Sequence, residues 1–283
     1  MVRIQNSLSF DMVKIEAGSF QMGSDEYYDE EPIHKVTIDY EFELCKYPVT
    51  IAEYMHFAKK NEKHLPEWKQ VKSNNYQKMN LTDNAPIIGI SWHDAVAYCK
   101  WLNEQQKVYV YRLPSEAEWE YTCRAGSTSK WSFGDDEKKL DDYAWYRKNS
   151  DSSTHIVGQK TGNTWELKDM HGNVYEWCQD DYVDSYKETP IDGKAYIDKE
   201  AKSKLIRGGS WINDADVSRC AIRSRGNPFN RINNVGFRLL RTLKEQKEEN
   251  IIDIPEDAVF EDYGLELGFC EDDSQNRIKA VIN

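Results

Sequence analysis

The chain has 283 residues, nine Trp and seventeen Tyr among them, and a net charge of −12. That length is ample for a real core in one large or two modest domains, and the negative balance excludes the basic footprint that nucleic acid needs and disfavours anionic membranes. No segment is apolar for long enough to span a bilayer. The first twenty residues show no charged stretch followed by an apolar run, so a cytoplasmic protein is expected.

Residues 11 to 45 alternate apolar and polar ("MVKIEAGSFQMG", "HKVTIDYEFEL"), which predicts two strands around a polar loop. That loop, "SDEYYDEEP", reads as a solvated acidic turn. Three helix starts follow, each a hydroxyl residue with a carboxylate three positions on: Thr50 with Glu53, Ser91 with Asp94, and Ser115 with Glu118. In the second, Ala95, Val96, Cys99 and Leu102 recur at helical spacing, so one face packs inward. The third, "RLPSEAEWEYTCRAG", stops at Gly126. From about 127 to 241, Trp, Gly, Asn and Asp interleave without long periodic runs, which predicts a loop-rich half built on short strands. Residues 243–283 hold twelve acidic and four basic residues, a net of −8 that makes this stretch the main source of the overall charge. It reads either as a plain solvated extension or, on its apolar patches, as a segment that docks on the body or on a partner.

The six cysteines (45, 99, 123, 178, 220 and 270) form no CxxC pair and no Cys/His cluster along the chain, so structural zinc is not expected. The six histidines lack helix-spaced partners. Only His171, beside the turn "HGNVYEW", stands close to a candidate ion site.

Taken in order, "MVKIEAGSFQMGS", "HKVTIDYEFELCKYPVT", "RLPSEAEWEYTCRAG", "DMHGNVYEW", "RGGSW" and "NNVGFRLLR" resemble the formylglycine-generating enzyme, or sulfatase-modifying factor, family. The resemblance covers residues 10–242 and leaves 243–283 as an acidic extension outside it. It implies an α+β, C-type-lectin-like fold of short antiparallel strands, few short helices and many loops. It also implies a calcium site in "HGNVYEW", where Gly172, Asn173, Val174 and Glu176 would offer oxygen ligands to a hard cation. It further implies a contact between Cys123 and Cys220, a disulfide if oxidised and a buried thiol pair if not.

In members of that family that make formylglycine, two cysteines after the Gly-Gly-Ser-aromatic turn bind copper(I), which favours soft sulfur ligands. Here the first of those positions is Asn213, and the second is not matched. No catalytic residue is therefore assigned, and copper(I) is not expected. One reading is a calcium-braced recognition protein for a protein or small-molecule ligand, with Trp177, Ser210, Trp211, Asn213, Asp214, Arg223, Arg225 and Asn230 as candidate binding residues. The other is a metal-dependent oxidoreductase acting on protein or small-molecule thiols. An enzyme must hold a redox metal; a binding module need not.

Overall fold

The computed structural model describes residues 9–244, so all but the first two residues of the acidic extension lie outside the described residues. Where two strands are expected near the start there are four: β1 (Met12–Ile15), β2 (Gly18–Met22), β3 (His34–Ile38) and β4 (Phe42–Cys45). Each alternating run breaks in two because a turn falls inside it. Then come α1 (Ile51–Ala58), α2 (Glu67–Gln70), α3 (Trp92–Gln105), β5 (Tyr109–Arg112), α4 (Glu116–Arg124) and α5 (Leu140–Tyr143). The second half carries β6 (Tyr175–Asp181), β7 (Lys204–Arg207), β8 (Arg223–Gly226), β9 (Val235–Gly236) and β10 (Leu240–Leu243).

The architecture is α+β and loop-rich, as the sequence predicts. One sheet has the order β1-β4-β10-β5, a second is the β2-β3 hairpin, and a third has the order β8-β7-β6-β9. All pairs are antiparallel except β6 with β9. Strand β10 enters between β4 and β5, so the end of the described chain closes the sheet that the start opens. The outer edge of β5 is covered by side-chain amides of and just beyond α3. Asn103 pairs with both backbone groups of Tyr111, and Gln106 does the same for Tyr109. An edge satisfied in this way offers no template for another strand.

All three expected helix starts carry complete capping boxes, at Thr50, Ser91 and Ser115. Helix α4 ends at Arg124, where Ala125 turns left-handed just before Gly126. Every residue of α4 is buried, although three of its nine residues are glutamates. The physical reason is tertiary pairing. Glu116 takes a two-pronged bond from Arg223 at 2.6 and 2.9 Å. Glu118 takes another from Arg112, with both contacts at 2.6 Å. Glu120 holds Arg124 at 2.8 Å and also Arg207. Burial alone would raise the Glu118 carboxyl, but the charge and hydrogen bonds of Arg112 hold it below its ordinary value. Buried charges persist only when paired in this way.

The acidic loop differs from its expectation for the same reason. Glu30 is buried and accepts from both terminal guanidinium nitrogens of Arg219 at 2.8 and 3.0 Å, and Asp29 accepts from Tyr182. The arginines of "RCAIRSRGNPFNR" mostly find carboxylates: Arg219 on Glu30, Arg223 on Glu116 and Arg231 on Asp94.

Two large apolar clusters fill the interior. One gathers α1, α3, Trp177 and Phe237; the other surrounds Trp119 with Phe42, Leu44, Cys123 and Cys220. A small third cluster gathers Trp131, Leu140, Ala144, Tyr146 and Ala215, with Phe133 against it.

Candidate metal centre

Three segments distant in sequence deliver the chemistry. Cys123 lies in the last turn of α4, whose all-round burial places its thiol in the core. His171 belongs to the turn before β6, where Asp169, Gly172 and Asn173 all have left-handed backbone (φ 56°, 84° and 62°). Cys220 follows the short 3₁₀ turn Ala215–Ser218, and its N–H donates to the Lys130 carbonyl at 2.8 Å. Gly172 is required where it stands. A Cβ there would lie 2.3 Å from the Trp145 carbonyl oxygen, besides the cost of its positive φ.

The Cys123 and Cys220 sulfurs are 3.6 Å apart as free thiols. With one imidazole nitrogen of His171, they form a buried trio of ligand atoms within 4.8 Å of one another. Burial, followed by the neighbouring Cys220, pushes the Cys123 thiol well above its ordinary value. Burial likewise lowers His171 to about 4, which keeps the ring neutral near pH 7. Its Nδ1 donates to the Ser218 carbonyl at 2.8 Å, since a carbonyl can only accept. The lone pair is therefore on Nε2, which receives the Ser132 N–H at 3.3 Å and faces the Ser132 hydroxyl at 2.9 Å.

The donor set fits a soft ion. Two thiolates and a neutral imidazole favour copper(I), which accepts two or three ligands, whereas structural zinc takes four. Binding must displace the thiol protons, so affinity rises with pH. The expectation that the chain lacks the means to bind copper(I) is thus corrected. Asn213, at the expected first-cysteine position, is no thiol; its Oδ1 accepts from Ser210 at 2.5 Å. The soft ligands sit elsewhere, on Cys123, His171 and Cys220.

The calcium assignment is corrected as well. The Glu176 carboxylate is taken by Arg238 at 2.6 and 2.7 Å and by the Trp119 indole at 2.8 Å. The Asn173 side chain accepts from the His155 N–H and donates to the His155 carbonyl. Gly172 and Val174 belong to the same turn and contribute only backbone. The side chains expected to bind a hard cation are already satisfied by protein. With that support gone and a soft-metal trio present, the reading as a calcium-braced recognition scaffold without metal chemistry is overturned.

Of the residues named for a ligand surface, Trp177, Ser210, Trp211, Asn213 and Arg223 are buried, while Asp214, Arg225 and Asn230 are exposed. Asp214 pairs with Arg147 at 2.6 Å, and Arg225 lies over the Tyr182 ring. The functional residue that sequence reasoning missed is His171 as a ligand. Its neighbours in the chain carried no metal spacing, because its partners are set by the fold.

Comparison with known proteins agrees with this architecture. The family model described as the sulfatase-modifying factor enzyme 1-like domain matches residues 3–243. The serine/threonine-protein kinase Pkn1 of Chlamydia trachomatis is 31% identical over 251 residues, 83% of this chain. The chain spans only 38% of that relative's length. The formylglycine-generating enzyme of Mus musculus is 30% identical over 290 residues, covering 80% of this chain and 74% of the mouse protein. Among solved structures, PvdO from Pseudomonas aeruginosa superposes with a TM-score of 0.75 at 32% identity, over 82% of this chain and 94% of that one. The cytoplasmic placement expected from the start of the chain finds no support in these matches and is withdrawn. Among the described residues, no helix is long and apolar enough to cross a membrane. With the fold, the ordered motifs and these matches together, the chain belongs to the sulfatase-modifying factor, or formylglycine-generating enzyme, family.

Proposed function

We propose that this chain is a metal-binding member of its family that holds one soft ion, copper(I) by preference, on Cys123, Cys220 and His171. The observation that carries the reading is the trio itself: two thiols 3.6 Å apart with an imidazole nitrogen in reach, all buried. Copper(I) held there would supply one-electron chemistry; the residues of this chain bind it, orient it and exclude water from it. Helix α4 fixes Cys123, and Arg207 fixes the other side by donating to the Cys220 carbonyl at 2.9 Å. Because all three ligands are buried, the ion would be firmly held, with slow exchange. The domain of residues 10–242 carries the site, and the acidic stretch from 243 to 283 serves as a docking segment for the body or for a partner protein.

The test is copper(I) binding to reduced protein in competition with bicinchoninate, alongside Cys123→Ser, Cys220→Ser and His171→Ala. One ion per chain is expected, with loss of at least tenfold in affinity for each cysteine variant. Stoichiometric binding that survives both serine substitutions would place the metal elsewhere, and no binding at all would end the reading.

A further inference from the structure

The three ligands are not equally ready to receive an ion. Both nitrogens of His171 are engaged: Nδ1 on the Ser218 carbonyl, Nε2 on the N–H and hydroxyl of Ser132. Nε2 is the nitrogen that already has its lone pair, so it can bind a metal without losing a proton. Ser132 sits in the tight turn between Trp131 and Gly134, which are joined by mutual backbone hydrogen bonds of 3.3 and 3.1 Å. Phe133, the other residue at the tip, packs edge-on against the His171 ring, with centroids 5.8 Å apart and planes at 83°. It also stacks on Trp131 and, at 4.2 Å, on Tyr143. Gly134 closes the turn at φ +119°, with nothing within 4 Å of where a Cβ would stand, its chain neighbours aside. This turn packs in the small third cluster, outside the two main cores, which makes it the cheaper partner to move.

We infer that His171 meets the ion through Nε2, the ring nitrogen with a free lone pair, and that the 131–134 turn is a stopper on the metal site, with Ser132 competing directly with the incoming ion for that nitrogen. The inference rests on the proposed Cys123–His171–Cys220 centre and names the residue that sets its affinity and its rate of loading. Ser132 is a positioning residue that holds the ring when no ion is bound, and the turn must shift outward for His171 to complete the site. Loading then has two parts: capture by the thiols, and release of Ser132 from the imidazole.

The experiment uses the full chain and copper(I) itself, buffered by bicinchoninate, with wild type, Ser132→Ala and Phe133→Ala compared. Ser132→Ala deletes one competing hydrogen bond, so its affinity is expected to be about fivefold tighter. Phe133→Ala loosens the turn while leaving Ser132 in place and is expected to speed loading severalfold. Hydrogen exchange supplies a readout that is independent of affinity: the Ser132 amide, held by His171 in the metal-free protein, is expected to exchange faster once copper(I) is bound. If wild type binds copper(I) through the cysteines, yet Ser132→Ala leaves affinity unchanged and the Ser132 amide stays protected, the stopper is overturned and the metal centre stands. If wild type binds no copper(I), the centre fails and the stopper with it.

Discussion

Glu120 offers the sharpest test of how this fold is held together. Its Oε1 accepts from the Gly23 N–H at 2.9 Å and from Arg124 at 2.8 Å, and its Oε2 takes Arg207. Arg207 is fully buried; its other acceptors are the carbonyls of Cys220, Ala221 and Ile222, with Glu116 farther off at 3.4 Å. In Glu120→Gln the volume is kept, but the negative charge goes and one acceptor oxygen becomes an amide NH2 donor facing a donor. Leaving a buried charge without its partner costs about 3–5 kcal/mol. Glu116 remains within reach of Arg207, so the lower end, about 3 kcal/mol, is expected. For a domain of this size that lowers the melting temperature by roughly 6–12 °C. Urea titration and thermal melts of both proteins measure it. Arg207→Met, alone and combined with Glu120→Gln, closes a double-mutant cycle, for which a coupling of about 2 kcal/mol or more is expected. A loss under about 1 kcal/mol, or coupling near zero, would refute the claim that α4 is buried because its glutamates are paired.

Two further predictions follow the same physics. Asp180 is buried beside Glu116 and its carboxyl is pushed up to about 7, first by burial and then by the Glu116 charge. The folded state therefore holds this proton more tightly than the unfolded state. Its contribution to stability is full below the unfolded value near pH 3.9 and is lost as pH rises toward 7, by up to about 1.4 kcal/mol per pH unit. His171 and Asp169 titrate in wild type and Asp180→Asn alike, so the difference in urea midpoint between the two isolates Asp180; a difference that does not change between pH 5 and pH 8 would contradict the assignment. Gly172→Ala places a Cβ 2.3 Å from the Trp145 carbonyl oxygen on a left-handed backbone, and a loss of about 3 kcal/mol or more is expected. Melting within a few degrees of wild type would mean that the turn presenting His171 is built differently.

Much of the frame was legible in the chain because its signals are local. Thr50, Ser91 and Ser115 announce helices, since a capping box is complete within four residues. Gly126 announces a stop for similar reasons. The loop-rich second half was legible from the lack of periodicity between 127 and 241. What misled was charge. The run "SDEYYDEEP" reads as solvated, yet Glu30 is interior, and so are Glu116, Glu118 and Glu120, whose burial nothing in the pattern of "EAEWE" announces. Arg112 and Arg124 stand within six residues of Glu118 and Glu120, but the other partners are remote, Arg219 lying 189 residues from Glu30, Arg223 107 from Glu116 and Arg207 87 from Glu120, and no short window of sequence contains those pairs.

The candidate site divides along the same line. The sequence by itself determined the family, the three capped helix starts, the absence of a cysteine at position 213, and the presence of Cys123, His171 and Cys220 as separate residues. Only the tertiary structure decided that these three are one site. Cys123 and Cys220 are 97 residues apart, with His171 near the midpoint, and they meet because α4, the left-handed turn before β6 and the turn after Ser218 pack on one another. It also decided that Glu176 and Asn173 are satisfied by Arg238, Trp119 and His155. Ligand geometry is a property of distances in space, and residues far apart in the chain acquire those distances only when burial and buried ion pairs have fixed the fold.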